Sequence, residues 1–326
     1  MNKFKTRQLM PLLALAIACA PQVAAAAGAW PTKSVRMVNP FTPGGGVDIV
    51  GRAIAQQLHE LWGQPVIVDN RPGAGTTIGM EIVANAMPDG HTLLINNGSV
   101  ATAGALYRNL KFDPVRDLAP IALTIQSPYL LVVHPSVKAG TLPELMALAK
   151  SRAGQMPYGS TGTGSFVHLT MELLKSQTRT PLLHVPYKGG APNMTAVLSG
   201  EVHTIFAPVA SVTPHVKAGR LRAVGITSAK RVELAPDIPT VAEQGVPGFE
   251  SVSWYPLFAP ARTPADIVKK ISGDINQILQ KPDVRSRFLA MGMVPFIGPP
   301  QALRDYLDLE IKRWGKVIAD AGIKPE

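Results

Sequence analysis

Cysteine is almost absent from this chain: of 326 residues only Cys19 carries a thiol. It lies in an N-terminal stretch with the layout of a secretory signal. Lys3, Lys5 and Arg7 precede an apolar run over residues 9–20, and small residues 24–27 supply an A-x-A-type cleavage site. That run is too short to span a bilayer as a stable helix. Cleavage at Ala27 or Gly28 makes residues 1–27 a signal peptide. It removes three basic residues and no acidic ones, taking the net charge from +10 to +7. Cys19 leaves with it, so the mature chain has neither disulfides nor a thiol nucleophile and suits the periplasm. A lipid anchor on Cys19 is the competing reading, but Ala16-Ile17-Ala18 lacks the large aliphatic residue expected three places before the cysteine.

Other absences remove further classes. Aromatic residues are only 6% of the chain, the lysines and arginines are scattered, and no RNP box or zinc finger is present, so no nucleic-acid partner is expected. The seven histidines form no H-E-x-x-H pair. GAGTTIG at 73–79 has one residue too many for a dinucleotide fingerprint, and no glycine loop is followed by the Lys-Ser or Lys-Thr of a phosphate loop. Ser160 sits on a strand-to-helix turn, but Tyr158 occupies the first glycine position of G-x-S-x-G. No cofactor and no catalytic set is expected.

What is present is organised around residues 39–52, NPFTPGGGVDIVGR. An extended run at 34–38 enters the glycines, and Val47, Val50, Ile54, Leu58 and Leu61 follow at helical spacing. Glycines at such a junction let a ligand approach the backbone, and the helix N-terminus offers unpaired N–H groups to an anion. A βα turn that needs glycine only for its angles is the alternative. Strands at 66–68 and 92–95 and a helix through Ile78, Ile82, Val83 and Ala86 complete a β-α-β-α-β pattern, the signature of a wound α/β sheet. Ligands gather beyond the carboxyl ends of such strands. There lie the glycine loop, the Thr76-Thr77 segment, and Asn96, Asn97, Gly98 and Ser99.

The pattern begins again at 130–133. Thr141 and Glu144 form a capping box, and residues 156–159 lead through STGTGS at 160–165 into a second helix. Further strands fall at 182–185, 202–206 and 221–226, with a helix at 191–198. Residues 236–249 read as a loop and 254–260 as an extended apolar run. Three closing helices are expected to pack back on the first half. Two chain crossings, near 127–129 and 253–254, divide the protein into residues 28–128 plus 254–326 and residues 129–253. Residues 44–48 and 160–165 then put helix N-termini on both walls of a cleft. Asp48 is either a capping residue or a contact to a ligand hydroxyl or ammonium. His168 either approaches the ligand or caps its helix, and His184 reads as a hydrogen-bonded core residue.

Seven stretches in order resemble the Bug (TctC-type) family, the extracytoplasmic solute receptors of tripartite tricarboxylate transporters. They are PFTPGGGVDIVGR (40–52), VDNRPGAGTTIG (68–79), PDGHTLL (88–94), YGSTGTGSFVHL (158–169), HVPYKGGAP (184–192), PTVAEQGVPGFE (239–250) and LFAPARTP (257–264). The resemblance implies a type II periplasmic-binding-protein fold, two α/β domains joined by a two-strand hinge and closing over one ligand. It implies a monomeric, non-enzymatic receptor in the periplasm. The ligand is a small carboxylate, whether a di- or tricarboxylate, an acidic amino acid or an aromatic acid, passed to membrane permease subunits. A ligand sensor acting on a signalling partner is the alternative.

Carried onto this chain, the carboxylate is held by backbone amides and bridging waters along Phe41, Thr42, Gly44, Gly45, Gly46, Val47 and Asp48 in the first half. Ser160, Thr161, Gly162, Gly164 and Ser165 face them from the second. Thr77, Asn97, Ser99, His168, Phe206 and Ala207 complete the expected site. The chain departs from the family pattern where Thr76-Thr77 replaces Gly-Asn, where His91 replaces a tyrosine, and where Ala207 replaces an acidic or amide residue.

Overall fold

The computed structural model describes residues 30–325, so the signal segment expected at 1–27 lies outside the described residues. The first half runs β1 (Val35–Asn39), α1 (Gly46–Trp62), β2 (Val66–Asn70), α2 (Thr77–Ala84), β3 (Thr92–Ile95) and α3 (Ser99–Leu106). A long strand, β4 (Leu118–Val133), leads into α4 (Leu142–Ser151), β5 (Pro157–Ser160), α5 (Phe166–Thr178), β6 (Leu183–Pro186) and α6 (Gly190–Ser199). Then come β7 (Thr204–Pro208), α7 (Val209–Lys217), β8 (Arg222–Ile226) and β9 (Val252–Pro260). The chain closes with α8 (Ala265–Gln280), α9 (Pro282–Ala290), β10 (Val294–Pro295) and α10 (Pro300–Asp320).

Helix α1 forms because Val47, Val50, Ile54 and Leu58 repeat on one buried face. It stops at Gly63, whose left-handed φ of 66° lets its N–H bond back to His59 O. Leu61, expected on the buried face, is 42% exposed, because the stripe has rotated off the core by the last turn. The capping box at Thr141 and Glu144 is formed as read, with both reciprocal hydrogen bonds present.

The strands make one ten-stranded sheet in the order β2-β1-β3-β9-β4-β7-β5-β6, with β8 and β10 also on β4. Within each half the order β2-β1-β3 and the trio β7-β5-β6 are parallel, as expected. The two halves are joined differently. Strand β4 starts at Leu118, well before the expected 130, and pairs antiparallel with β9 in the first half and with β7 and β8 in the second. Register irregularities between Pro120 and Ala122, and between Leu123 and Ile125, bend it along the way. Both chain crossings are therefore continuous strands.

Apolar side chains fall into three clusters. One fills the first half between the sheet, α1 and α8, and one fills the second beneath α6 and α7. The third runs through both halves, from Val38 and Leu94 to Leu131, Tyr158 and Trp314. Helix α10 touches α3, α8, β4 and also α5, so it lies against both halves rather than the first alone.

Candidate functional site

At the first glycine loop the chain leaves β1 and enters α1 through Gly44 (φ 88°), which only glycine adopts readily. Gly45 has ordinary extended backbone, and Gly46 lies so close to the Tyr255 hydroxyl that an added Cβ would stand 2.6 Å from it. The loop is braced by Asp48, which is 3% exposed. One carboxylate oxygen accepts from the Gly44 N–H (3.0 Å) and Arg52 Nε (2.8 Å), and the other from Asn70 Nδ2 (2.9 Å) and Asn39 Nδ2 (3.3 Å). Burial pushes the carboxyl up, but the bonds from Arg52, Gly44 and Asn70 outweigh it and hold the pKa at about 2. Asp48 is thus an ionised internal brace with its oxygens engaged. Val47 points into the core, and Phe41 is half-buried with its N–H on Asn39 Oδ1. Thr42, Gly44 and Gly45 are exposed, presenting backbone at the mouth of α1.

The second loop leaves β5 for α5. Gly162 (φ 130°) and Gly164 (φ 72°) turn it, and Ser165 caps α5 by accepting the His168 N–H. Thr161 and Gly162 are half-buried at the bend. His168 supports the loop from behind: its Nδ1 accepts the Gly164 N–H at 3.0 Å, and its ring stacks on His184 at 3.9 Å. Burial first, then the neighbouring His184, lower the His168 pKa to about 4, so the ring is neutral and able to accept. Ser160 lies 2.7 Å from His184 Nε2, a serine-histidine pair. It is fully buried, its hydroxyl donates to Gly162 O and accepts the Gly162 N–H, and the pair shapes the turn. His184 is hydrogen-bonded, as read, but half-buried rather than in the core.

Beyond β3, Asn97 Oδ1 accepts the Ser99 N–H at the start of α3. Ser99 Oγ donates to Asn96 Oδ1 and meets the hydroxyl of Thr76, whereas Thr77 Oγ1 turns back onto Ala74 O. Sequence reasoning placed the Thr76-Thr77 segment at this end and Thr77 in the expected site; with Thr76 in left-handed backbone (φ 84°), it is the Thr76 hydroxyl that faces the 97–99 segment. That segment meets the second half. A Cβ on Gly98 would collide with Phe166 and Trp254, and one on Gly164 would press on Leu106 of α3. Phe206 and Ala207 are not part of this grouping. Phe206 is 1% exposed and stacked on Phe249, and Ala207 is buried in the cluster beneath α6 and α7. His91, the other departure, packs against Trp30.

Among the described residues no group of three or more His, Cys, Asp or Glu could hold a metal, and no helix is long and apolar enough to cross a membrane. A surface hollow of about 680 Å³ lies between α3, the 107–116 loop and α10. None of the residues of the two glycine loops lines it.

Known proteins resemble this chain in sequence and in fold. Protein BugT of Bordetella pertussis is 34% identical over 97% of this chain and 98% of its own length. The R. palustris protein Rpa4515, solved with adipate, superposes with a TM-score of 0.82 at 35% identity, covering 91% of this chain and all of its own. MatC (Rpa3494) from Rhodopseudomonas palustris, solved with bound malate, gives a TM-score of 0.76 at 32% identity, with 89% of this chain and 100% of its own covered. The fold is thus that of the periplasmic binding proteins of this type, which are receptors rather than enzymes. Residues 50–323 match the family described as tripartite tricarboxylate transporter family receptor, and the chain belongs to that family.

Proposed function

We infer that this receptor captures a small carboxylate between its two glycine loops, in the periplasm, and delivers it as a monomer to the membrane permease subunits of a tripartite transporter. The observation that carries the reading is the pair of helix N-termini, α1 and α5, each at the carboxyl end of a parallel strand in its own half of the sheet. Their loops are braced from behind by Asp48 and His168, which keeps backbone N–H groups at the mouth of each helix. The adipate and malate carried by the two R. palustris proteins support a carboxylate. Residues 28–128 with 254–326, and residues 129–253, form two lobes that hinge on β4 and β9 and close on the ligand.

Calorimetric titration with adipate, malate, glutamate, citrate and benzoate, alongside small-angle scattering, tests this. Binding of at least one of them with a fall in radius of gyration is expected. A folded protein that binds none, or binds with no compaction at saturation, overturns the reading. Ligand-dependent capture of a sensor kinase in place of the permease would make it a sensor.

A further inference from the structure

The hollow between α3, the 107–116 loop and α10 takes no part in the site described above. Val100 and Ala105 on α3, Leu110 in the loop and Ile311 on α10 give it apolar walls. Gly104 and Gly315 keep it open, since a Cβ added to either would meet no atom within 4 Å. Its charges come from the loop. Arg116 is paired with Asp117, and Asp113 Oδ1 accepts the N–H groups of Val115 and Arg116. Arg108 and Lys111 are exposed, and among the described residues neither has an ion pair. Apolar walls beside two uncompensated cations suit an occupant that is apolar on one side and acidic on the other. Both helices that wall the hollow also touch the second half. Leu106, the last residue of α3, is the near neighbour of Gly164 in the second glycine loop. Trp314, next to Gly315 on α10, meets Phe166 at the start of α5.

We propose that this hollow is the receptor's docking surface for the transporter's permease, and that it takes an acidic segment with an apolar tip from the permease's periplasmic face. The inference rests on the receptor reading above and gives it a surface for delivery. Closure on a ligand holds Gly164 and Phe166 against Leu106 and Trp314, and so fixes both walls of the hollow. The loaded receptor presents a formed surface and the empty one does not, which lets the permease tell them apart by differential affinity. Arg108 and Lys111 steer the acidic segment to the rim.

The test captures the receptor on its transporter's permease subunits in nanodiscs, with and without a carboxylate that binds in the titration above. Loaded native receptor is expected to bind at least about fivefold more tightly than empty receptor. Arg108→Glu with Lys111→Glu should weaken capture at least about tenfold and flatten its salt dependence. Gly104→Leu, which fills the hollow and puts a better helix former on α3, should weaken capture as much with no loss of stability. Both variants should bind the carboxylate within about twofold of the parent. Undiminished capture of either variant, no preference for the loaded receptor, or equal capture on nanodiscs without permease overturns this inference and leaves the receptor reading standing. So does a second equivalent of carboxylate that the charge reversal abolishes, which would give the hollow to a small anion. A native protein that binds none of the carboxylates tested overturns both.

Discussion

Phe166 meets Trp314 edge-to-face with ring centroids 4.6 Å apart, so the first residue after the second glycine loop rests on the helix that ends the chain. The Trp314 indole N–H donates to Glu310 at 2.7 Å, and the same buried oxygen takes the N–H of Trp254 on β9 at 3.1 Å. One carboxylate thus ties α10 to a strand that crosses between the halves, and the Phe166 contact extends the tie to α5.

Truncating that joint should cost stability on the scale of a large core deletion. Trp314→Ala leaves a cavity beneath Phe166 and takes a donor from Glu310, for an expected loss of about 3–5 kcal/mol. Urea unfolding checks it, and a loss below about 1 kcal/mol would show that α10 is not a shared support.

Gly45 separates backbone recognition from folding. The positive φ of this turn belongs to Gly44, and the nearest atom to an added Cβ on Gly45 is Thr42 O at 3.9 Å. Gly45→Ala should therefore fold, with stability within about 1 kcal/mol of the parent. If the loop amides cradle the carboxylate, affinity should nevertheless drop at least about tenfold. Thermal melts without ligand and calorimetry with adipate or malate measure the two effects, and an unchanged affinity would remove the loop from the site.

Acid should loosen the second loop through His168. Its folded pKa is about 4 against about 6.5 unfolded, lowered by burial and then by His184, with Glu172 opposing. The unfolded chain takes up the proton first as pH falls, so this stability is complete above about pH 6.5 and lost progressively towards pH 4, up to about 3 kcal/mol. Protonated Nδ1 can no longer accept the Gly164 N–H. His184, with its pKa lowered by burial, acts in the same direction, and Lys175 on Glu172 completes the charged surroundings. Unfolding titrations from pH 7 to 4 should show a shallower decline in His168→Gln than in the parent. Parallel declines would place the acid sensitivity elsewhere.

The sequence by itself determined what depends on neighbours in the chain. Apolar spacing placed α1, the Thr141–Glu144 pair capped α4, and runs of glycine marked the two strand-to-helix turns, because each is decided within about one or two helical turns. Only the tertiary structure decided what depends on residues far apart. The extent of β4 comes from pairing with β9, more than a hundred residues later, and Pro120 and Pro128 within it read locally as breaks. Phe206 and Ala207 are both buried because β7 lies between two apolar clusters, one on each face of the sheet, and side chains alternate between those faces along a strand. That the Thr76 hydroxyl, and not that of Thr77, faces Ser99 follows from a left-handed backbone at Thr76, against the local preference of a β-branched residue. Local chemistry could announce that a polar segment lies there, but the direction of its hydroxyls required the packed molecule.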